Sequence, residues 1–384
     1  MRVVVAPDKF KGSLTAVQAA QAMADGLRRV WPDGEVLLLP VADGGEGTVD
    51  AAVAAGYERR TVPVQGPTGE PVLADFALRG DSAVLELAEA SGLRRLPRGR
   101  PAPLTASTYG TGQLLLAALD AGARRVVLGV GGSATTDGGA GMAQALGARL
   151  LDADGAELPP GGAALLHLHR IDVAGLDRRL AATSVVLASD VDNPLLGPSG
   201  AAAVYGPQKG ATPQEVERLD VALARYAAVV QRDLARAVEL TPGAGAAGGT
   251  GAGALAFLSA RISSGIDLVL DVVGFPEALA GADLVLTGEG SLDAQSLRGK
   301  APVGVARAAA AVGVPVIALV GRRDVTDDEL RSVGIASARS LLELEPDQDL
   351  AVRGAGPLLA DLAAAVARSF PATGGRPRRG ARTS

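Results

Sequence analysis

The chain has 384 residues, 48% of them hydrophobic, a net charge of −5 and no cysteine. That length and apolar content support two or three domains with sizeable cores, and the missing thiols exclude disulfides, thiolate metal sites and cysteine nucleophiles. The acidic balance and 3% aromatic content argue against a nucleic-acid partner; without a membrane-length apolar stretch or the apolar core of a secretory signal, a cytoplasmic protein with no membrane partner is expected.

In chain order, residues 3–6 predict a short strand, 15–30 a helix with Val17, Ala20, Met23 and Leu27 on one face, and 35–40 a second strand. This is the unit of a parallel α/β sheet, whose ligands gather beyond the carboxyl ends of the strands. The loop after the first strand, APDKFKGS at 6–13, holds Asp8, Lys9 and Lys11 before a helix start. Only four lysines occur (Lys9, Lys11, Lys209 and Lys300), so two ammoniums in one loop point to an anion such as a phosphoryl group or a carboxylate. Ser13 or Thr15 would cap the helix. The loop after the second strand, VADGGEGT at 41–48, offers Asp43 and Glu46 for Mg²⁺ or a hydroxyl proton, with paired glycines for close backbone approach.

Around Gly66–Gly69 two alternating runs predict a hairpin, and a change of domain is placed near residue 63. Residues 93–103 read as a connector, 112–121 as a helix and 125–128 as a strand. The following GVGGSATTDGG at 129–139 contains Gly131, Gly132 and Ser133 and matches the dinucleotide pattern G-x-G-x-x-A, with Asp152 where a ribose-binding acid would fall. A phosphate-facing or substrate-facing glycine loop explains the same residues. Residues 148–151 and 184–188 predict strands, the latter leading to SDVDNP with Asp190 and Asp192, two carboxylates able to converge on Mg²⁺, and then to Lys209 as a counter-charge. A long helix over 213–238 precedes a glycine-rich stretch at 243–253, expected to be a loop whose N–H groups, Gly249 and Gly251 among them, could meet a triphosphate, or else a linker before a helix at 254–262. Clean alternation then returns: strand 284–287, helix 302–312, strand 315–320, a short apolar segment near Ile335 and a last helix over 357–370. Between the first two of these, TGEGSLD carries Gly288, Glu289 and Asp293 into Lys300 at the next helix start, a fair phosphate site.

Alternation at both ends around an irregular middle predicts a discontinuous domain, 1–62 with 270–370, carrying an inserted α/β domain at 63–269, and a disordered tail at 371–384. His167 and His169 read as local surface or strand residues rather than ligands, and neither a G-x-S-x-G elbow nor a GxxxxGK[ST] loop occurs. The residues leave open a phosphotransferase, an NAD(P)-dependent oxidoreductase using the 129–134 loop, and a non-enzymatic anion-binding protein.

Taken together, APDKFKGSLTA, PVADGGEGT, STYGTGQL, GVGGSATTDGGAGMAQALG, SDVDNPLLGPSGAAAVYGPQKGA, GAGAAGGTGAGALAFL, SGIDLVLD and TGEGSLDAQSLRGKAPVGVA resemble the class I glycerate kinase family over residues 1–370. The resemblance implies ATP- and Mg²⁺-dependent phosphorylation of D-glycerate at the 2-hydroxyl. It also implies two unlike α/β domains, the discontinuous one Rossmann-like and the insert flavodoxin-like, with the active site in the cleft. Ser189, Thr136 and Ser291 depart from the family pattern, where Cys, Asn and Arg are frequent; Arg298 could compensate for the last. On this reading Asp8, Lys9, Lys11, Asp43 and Asp190 are the catalytic candidates, with Asp190 or Asp43 as base. Gly131, Gly132, Ser133, Gly249, Gly251, Gly288, Glu289 and Lys300 are expected to bind nucleotide, and Asp192 and Asp293 the metal. A monomer or homodimer is expected.

Overall fold

The computed structural model describes residues 1–371, except the Arg298 side chain, so the expected disordered tail beyond 371 and any compensation by Arg298 lie outside the described residues. The chain divides into two compact units, Met1–Pro40 together with the chain from Phe275 onward, and Val41–Gly274. The division falls at 40/41 and 274/275 rather than at 62/63 and 269/270. The reason is pairing: strand Glu58–Gln65 runs antiparallel to Pro71–Arg79, and helix Thr48–Ala54 packs on that strand and on Ser82–Glu86.

In the first unit five parallel strands lie in the order Ser337–Ser340, Val316–Val320, Leu284–Gly288, Arg2–Pro7, Glu35–Leu38. Numbered along the chain and read from the last-named edge, this is 2-1-3-4-5, the flavodoxin-like order. The resemblance attached that label to the insert; the strand order attaches it to the discontinuous unit. The three central strands are apolar on both faces, as a sheet covered by helices on both sides requires. Helix Ala16–Arg28 starts on a Thr15/Gln18 capping box, which settles Thr15 as the cap, and buries Ala20, Met23 and Leu27 under Val3, Val5 and Leu286. Helix Ala355–Ser369 packs alongside it.

The second unit has a six-stranded mixed sheet, in the order Arg261–Ser263, Ser184–Ala188, Arg125–Gly129, Ser82–Glu86, Pro71–Arg79, Glu58–Gln65. The first four are parallel and the last three form an antiparallel meander, which includes the predicted hairpin. Its core gathers Phe76, Leu85, Leu114, Leu128, Leu187 and Tyr226. The predicted strand near 148–151 pairs instead with Arg170–Asp172 in a separate two-stranded ribbon. The long helix is Pro213–Leu234, opened by a Thr212/Glu215 capping box and closed by Ala235 in the left-handed region. The glycine-rich stretch is not a loop before a later helix: the helix is Ala246–Phe257, broken at Ala247, Gly248 and Gly249, all left-handed. Among the described residues no helix is long and apolar enough to cross a membrane.

Candidate active site

In a 2-1-3-4-5 sheet the chain reverses direction between its first and third strands, here Arg2–Pro7 and Leu284–Gly288, and opens a crevice beyond their carboxyl ends. Pro7 and Gly288 are register partners, so Asp8 and Glu289 emerge side by side, tied by the Asp8 N–H donating to the Gly288 carbonyl at 2.8 Å. Asp8 Oδ1 accepts the Lys9 N–H at 2.6 Å, and the Lys9 ammonium stands 4.0 Å away. Glu289 is only 7% exposed and its Oε1 has no hydrogen-bond partner. Burial pushes its pKa up to about 7; the Ser296 hydroxyl and the Lys300 charge oppose the rise, and Asp8 and Asp293 add to it.

Lys300 is the N-cap residue of helix Ala301–Ala310, so a cation stands at a helix start beside a buried acid. Lys11 is exposed and lines a small cavity of about 50 Å³ with Phe10, Gly290, Arg322, Leu341 and Val352. Asp293 differs from expectation: its Oδ1 accepts the N–H groups of Gln295 at 2.8 Å and Ser296 at 3.0 Å, closing a turn, and these bonds hold its pKa low. Gly288 is buried, and a Cβ there would meet the Leu319 carbonyl oxygen at 1.9 Å, so sheet packing accounts for that glycine.

The second unit assembles another cluster, at the carboxyl ends of its parallel strands. A Cβ on Gly129 would lie 2.6 Å from the Gly44 carbonyl oxygen, and one on Gly131 2.6 Å from the Gly45 Cα, so the 41–48 and 129–134 loops press together where no side chain fits. Asp43 lies in the first of these, its Oδ1 accepting the Gly45 N–H at 3.2 Å. Asp190 follows strand Ser184–Ala188 and accepts the Gly265 N–H at 2.8 Å. A Cβ on Gly265 would touch both the Asp43 carbonyl oxygen, at 2.2 Å, and Asp190 Oδ2, at 3.0 Å, which places the two acids' segments against one glycine. Burial of its carboxyl raises the Asp190 pKa; the Gly265 N–H and the Ser264 hydroxyl oppose this, and the Asp43 charge reinforces it. An aspartate whose proton affinity is raised by burial and by a second carboxylate has the character of a general base.

One acid of this cluster escaped the sequence reading. Glu86 ends strand Ser82–Glu86, is 3% exposed, and accepts the N–H groups of Gly47 at 3.1 Å and Val49 at 2.7 Å. Burial pushes its pKa up to about 7, against those two bonds and the Arg94 charge and with the Asp50 charge. The available signal was an acid closing the apolar run Ala83-Val84-Leu85 of a buried strand.

Several other expected residues are engaged in packing or turns, and others are exposed. Gly132 is exposed beyond its strand, whereas Ser133 is buried in a bridge to Gly92. The dinucleotide pattern needs its glycines to open a helix, but the next helix is Ala140–Ala145, and Asp137 between them is fully buried, accepting from Thr108, Gly139 and Gly141. Asp152 accepts from Asp154 and Ala156 in a tight turn. Gly249 and Gly251 are buried: a Cβ on Gly249 would meet Gly138 at 2.9 Å, so it backs the Asp137 segment from within, and one on Gly251 would meet the Gly243 carbonyl at 2.1 Å, inside its own glycine-rich stretch. Lys209 is 2% exposed, donates to the Thr135 carbonyl at 2.5 Å and has its pKa depressed by burial to about 7, so it braces the core rather than Asp190 or Asp192. Asp192 is exposed near Tyr205. His167 and His169 are exposed, and among the described residues no three His, Asp or Glu side chains group to hold a metal ion.

A glycerate kinase family model matches residues 3–371. The chain belongs to the glycerate kinase family. It is 48% identical over 368 residues to a glycerate kinase of Halalkalibacterium halodurans, covering 95% of this chain and 97% of that one. It is 46% identical over 361 residues to the glycerate 2-kinase of Escherichia coli, covering 92% and 94%. A crystal structure described as a "putative glycerate kinase 2" from Salmonella typhimurium LT2 superposes with a TM-score of 0.85 at 45% identity, covering 96% of this chain and 98% of that one.

Proposed function

We propose that this protein phosphorylates D-glycerate with ATP at the 2-hydroxyl, giving 2-phosphoglycerate and ADP. The observation that carries this reading is family membership along almost the whole chain, with an aspartate of raised proton affinity, Asp190, beside Asp43 at strand ends. The C2 hydroxyl oxygen bonds to the γ-phosphorus as the bond to the β,γ-bridging oxygen breaks, and the hydroxyl proton passes to a carboxylate oxygen of Asp190, with Asp43 the alternative acceptor. Lys9, Lys11 and Lys300 suit phosphate oxygens or the glycerate carboxylate as compact point charges. The exposed backbone of Gly132 offers an N–H group to an anion.

The orphaned Oε1 of Glu289 beside Asp8 fits a divalent cation better than Asp293, whose Oδ1 is spent on a turn. Magnesium commonly takes only one or two protein carboxylates and completes its shell with phosphates and water, so a dedicated three-acid cage is not required. When bound, magnesium neutralises charge on the nucleotide phosphates. The test is incubation with Mg-ATP and each glycerate enantiomer, with the product carbon identified by ³¹P-coupled NMR. A phosphate on C2 of the D-enantiomer is expected; phosphate on C3, or none, overturns the reading.

A further inference from the structure

Glu86 sits beneath the loop that carries Asp43 and holds it by the main chain. Its Oε1 takes the Gly47 and Val49 N–H groups together, fixing the point where the loop turns, with Gly47 at φ +102°, into helix Thr48–Ala54. The Thr48 hydroxyl donates back to the Gly45 carbonyl at 2.7 Å, closing the same turn. The loop is therefore gripped at residues 45–49, immediately beyond Asp43-Gly44-Gly45, the segment that lies against Gly129, Gly131 and Gly265. At the surface Arg94 holds Glu46 at 2.8 Å and also pairs with Glu89; an exposed tie of this kind contributes little alone.

A cap on a short helix does not account for this arrangement. Serine, threonine or asparagine would accept the same N–H groups at lower desolvation cost. A glutamate instead leaves Oε2 buried without a partner in the described structure, and each such group calls for a reason. What the longer side chain adds is reach from the end of the neighbouring strand, which lets one oxygen, Oε1, accept two backbone donors at once.

We propose that Glu86 is a positioning residue that locks the 43–47 loop so that Asp43 and the backbone of Gly44 and Gly45 keep their place against the 129–131 loop and Asp190. The proposal rests on the reading of the Asp43–Asp190 cluster as the reacting site.

The test compares the full-length wild type, E86L and E86Q in three measurements: thermal unfolding, kcat and KM with Mg-ATP and D-glycerate well below the unfolding temperature, and amide exchange at residues 43–49. E86L should lose about tenfold or more in kcat with KM for ATP changed by less than about threefold, the signature of displaced reacting groups rather than lost binding. Its amides at Gly45, Gly47 and Val49 should exchange faster. E86Q, which keeps an oxygen for both donors, should recover most of kcat and of the protection. An E86L protein that unfolds earlier yet keeps wild-type kcat and exchange in this loop overturns the proposal, as does an E86Q no better than E86L. Should wild type leave glycerate unphosphorylated, the functional reading fails by itself, and the exchange rates still decide whether Glu86 anchors the loop.

Discussion

Glu289 follows one buried strand and Glu86 ends another, and burial pushes the pKa of each up to about 7. A carboxyl whose folded pKa of about 7 exceeds its ordinary 4.5 binds its proton more tightly in the folded chain. Its contribution to stability is therefore complete below the unfolded value and is lost as pH rises through the folded one. For protein free of nucleotide and metal, the unfolding temperature should fall between about pH 5 and 8, and E289Q should flatten that slope; the buried carboxyl accounts for at most roughly 3 kcal/mol of it. Differential scanning fluorimetry across that range checks the point, and a slope unchanged in E289Q would show that other groups set it. In the sequence Glu289 was legible as one acid of a glycine-rich loop following a strand. Its burial was not, because that depends on the neighbouring strand Arg2–Pro7 and on Ser296, whose side chain bonds to it.

Helix Ala16–Arg28 shows how far an element can be read from its own residues and where neighbours take over. Its cap and the buried positions Ala20, Met23 and Leu27 are local properties that appear in the chain as written, whereas Val17, expected on the same face, is exposed. Gly26 is explained only by the partner helix Ala355–Ser369: a Cβ there would lie 2.0 Å from the Ala360 carbonyl oxygen and 2.9 Å from the Ala363 Cβ. By propensity alone, G26A should stabilise the helix by about 0.5–1 kcal/mol. Overpacking against backbone costs about 1–3 kcal/mol and wins. Urea unfolding of G26A should thus show a lowered midpoint, and an unchanged or raised midpoint would mean that the two helices separate without cost. The same contrast explains the 243–253 stretch. Its glycines look like linker by composition, yet they are buried in close packing against Gly138, Gly139 and the Thr135 carbonyl, contacts invisible to any local rule.

On the scale of the whole molecule, the second unit has its own sheet and its own core within residues 41–274, whereas the first draws two of its five strands from one end of the chain and three from the other. A fragment spanning 41–274 should consequently fold alone and melt cooperatively by circular dichroism, while a non-cooperative melt would show that its core needs the rest of the chain. The resemblance of long strings in order named the family; composition, periodicity and loop chemistry in the sequence by themselves determined an α/β protein, a discontinuous chain path, and glycine and lysine loops at strand ends. These are local signals, spaced by 2, by 3.6 or within one loop, and they survive in one dimension. Tertiary structure alone decided that the first unit's strands run 2-1-3-4-5, that residues 41–62 join the second unit, that Asp8 emerges beside Glu289 and Asp43 lies with Asp190, and that Lys209 and Asp137 belong to the core. Each of these depends on which distant strand lies alongside, and pairing between residues as far apart as Pro7 and Gly288 leaves no periodic trace in either segment.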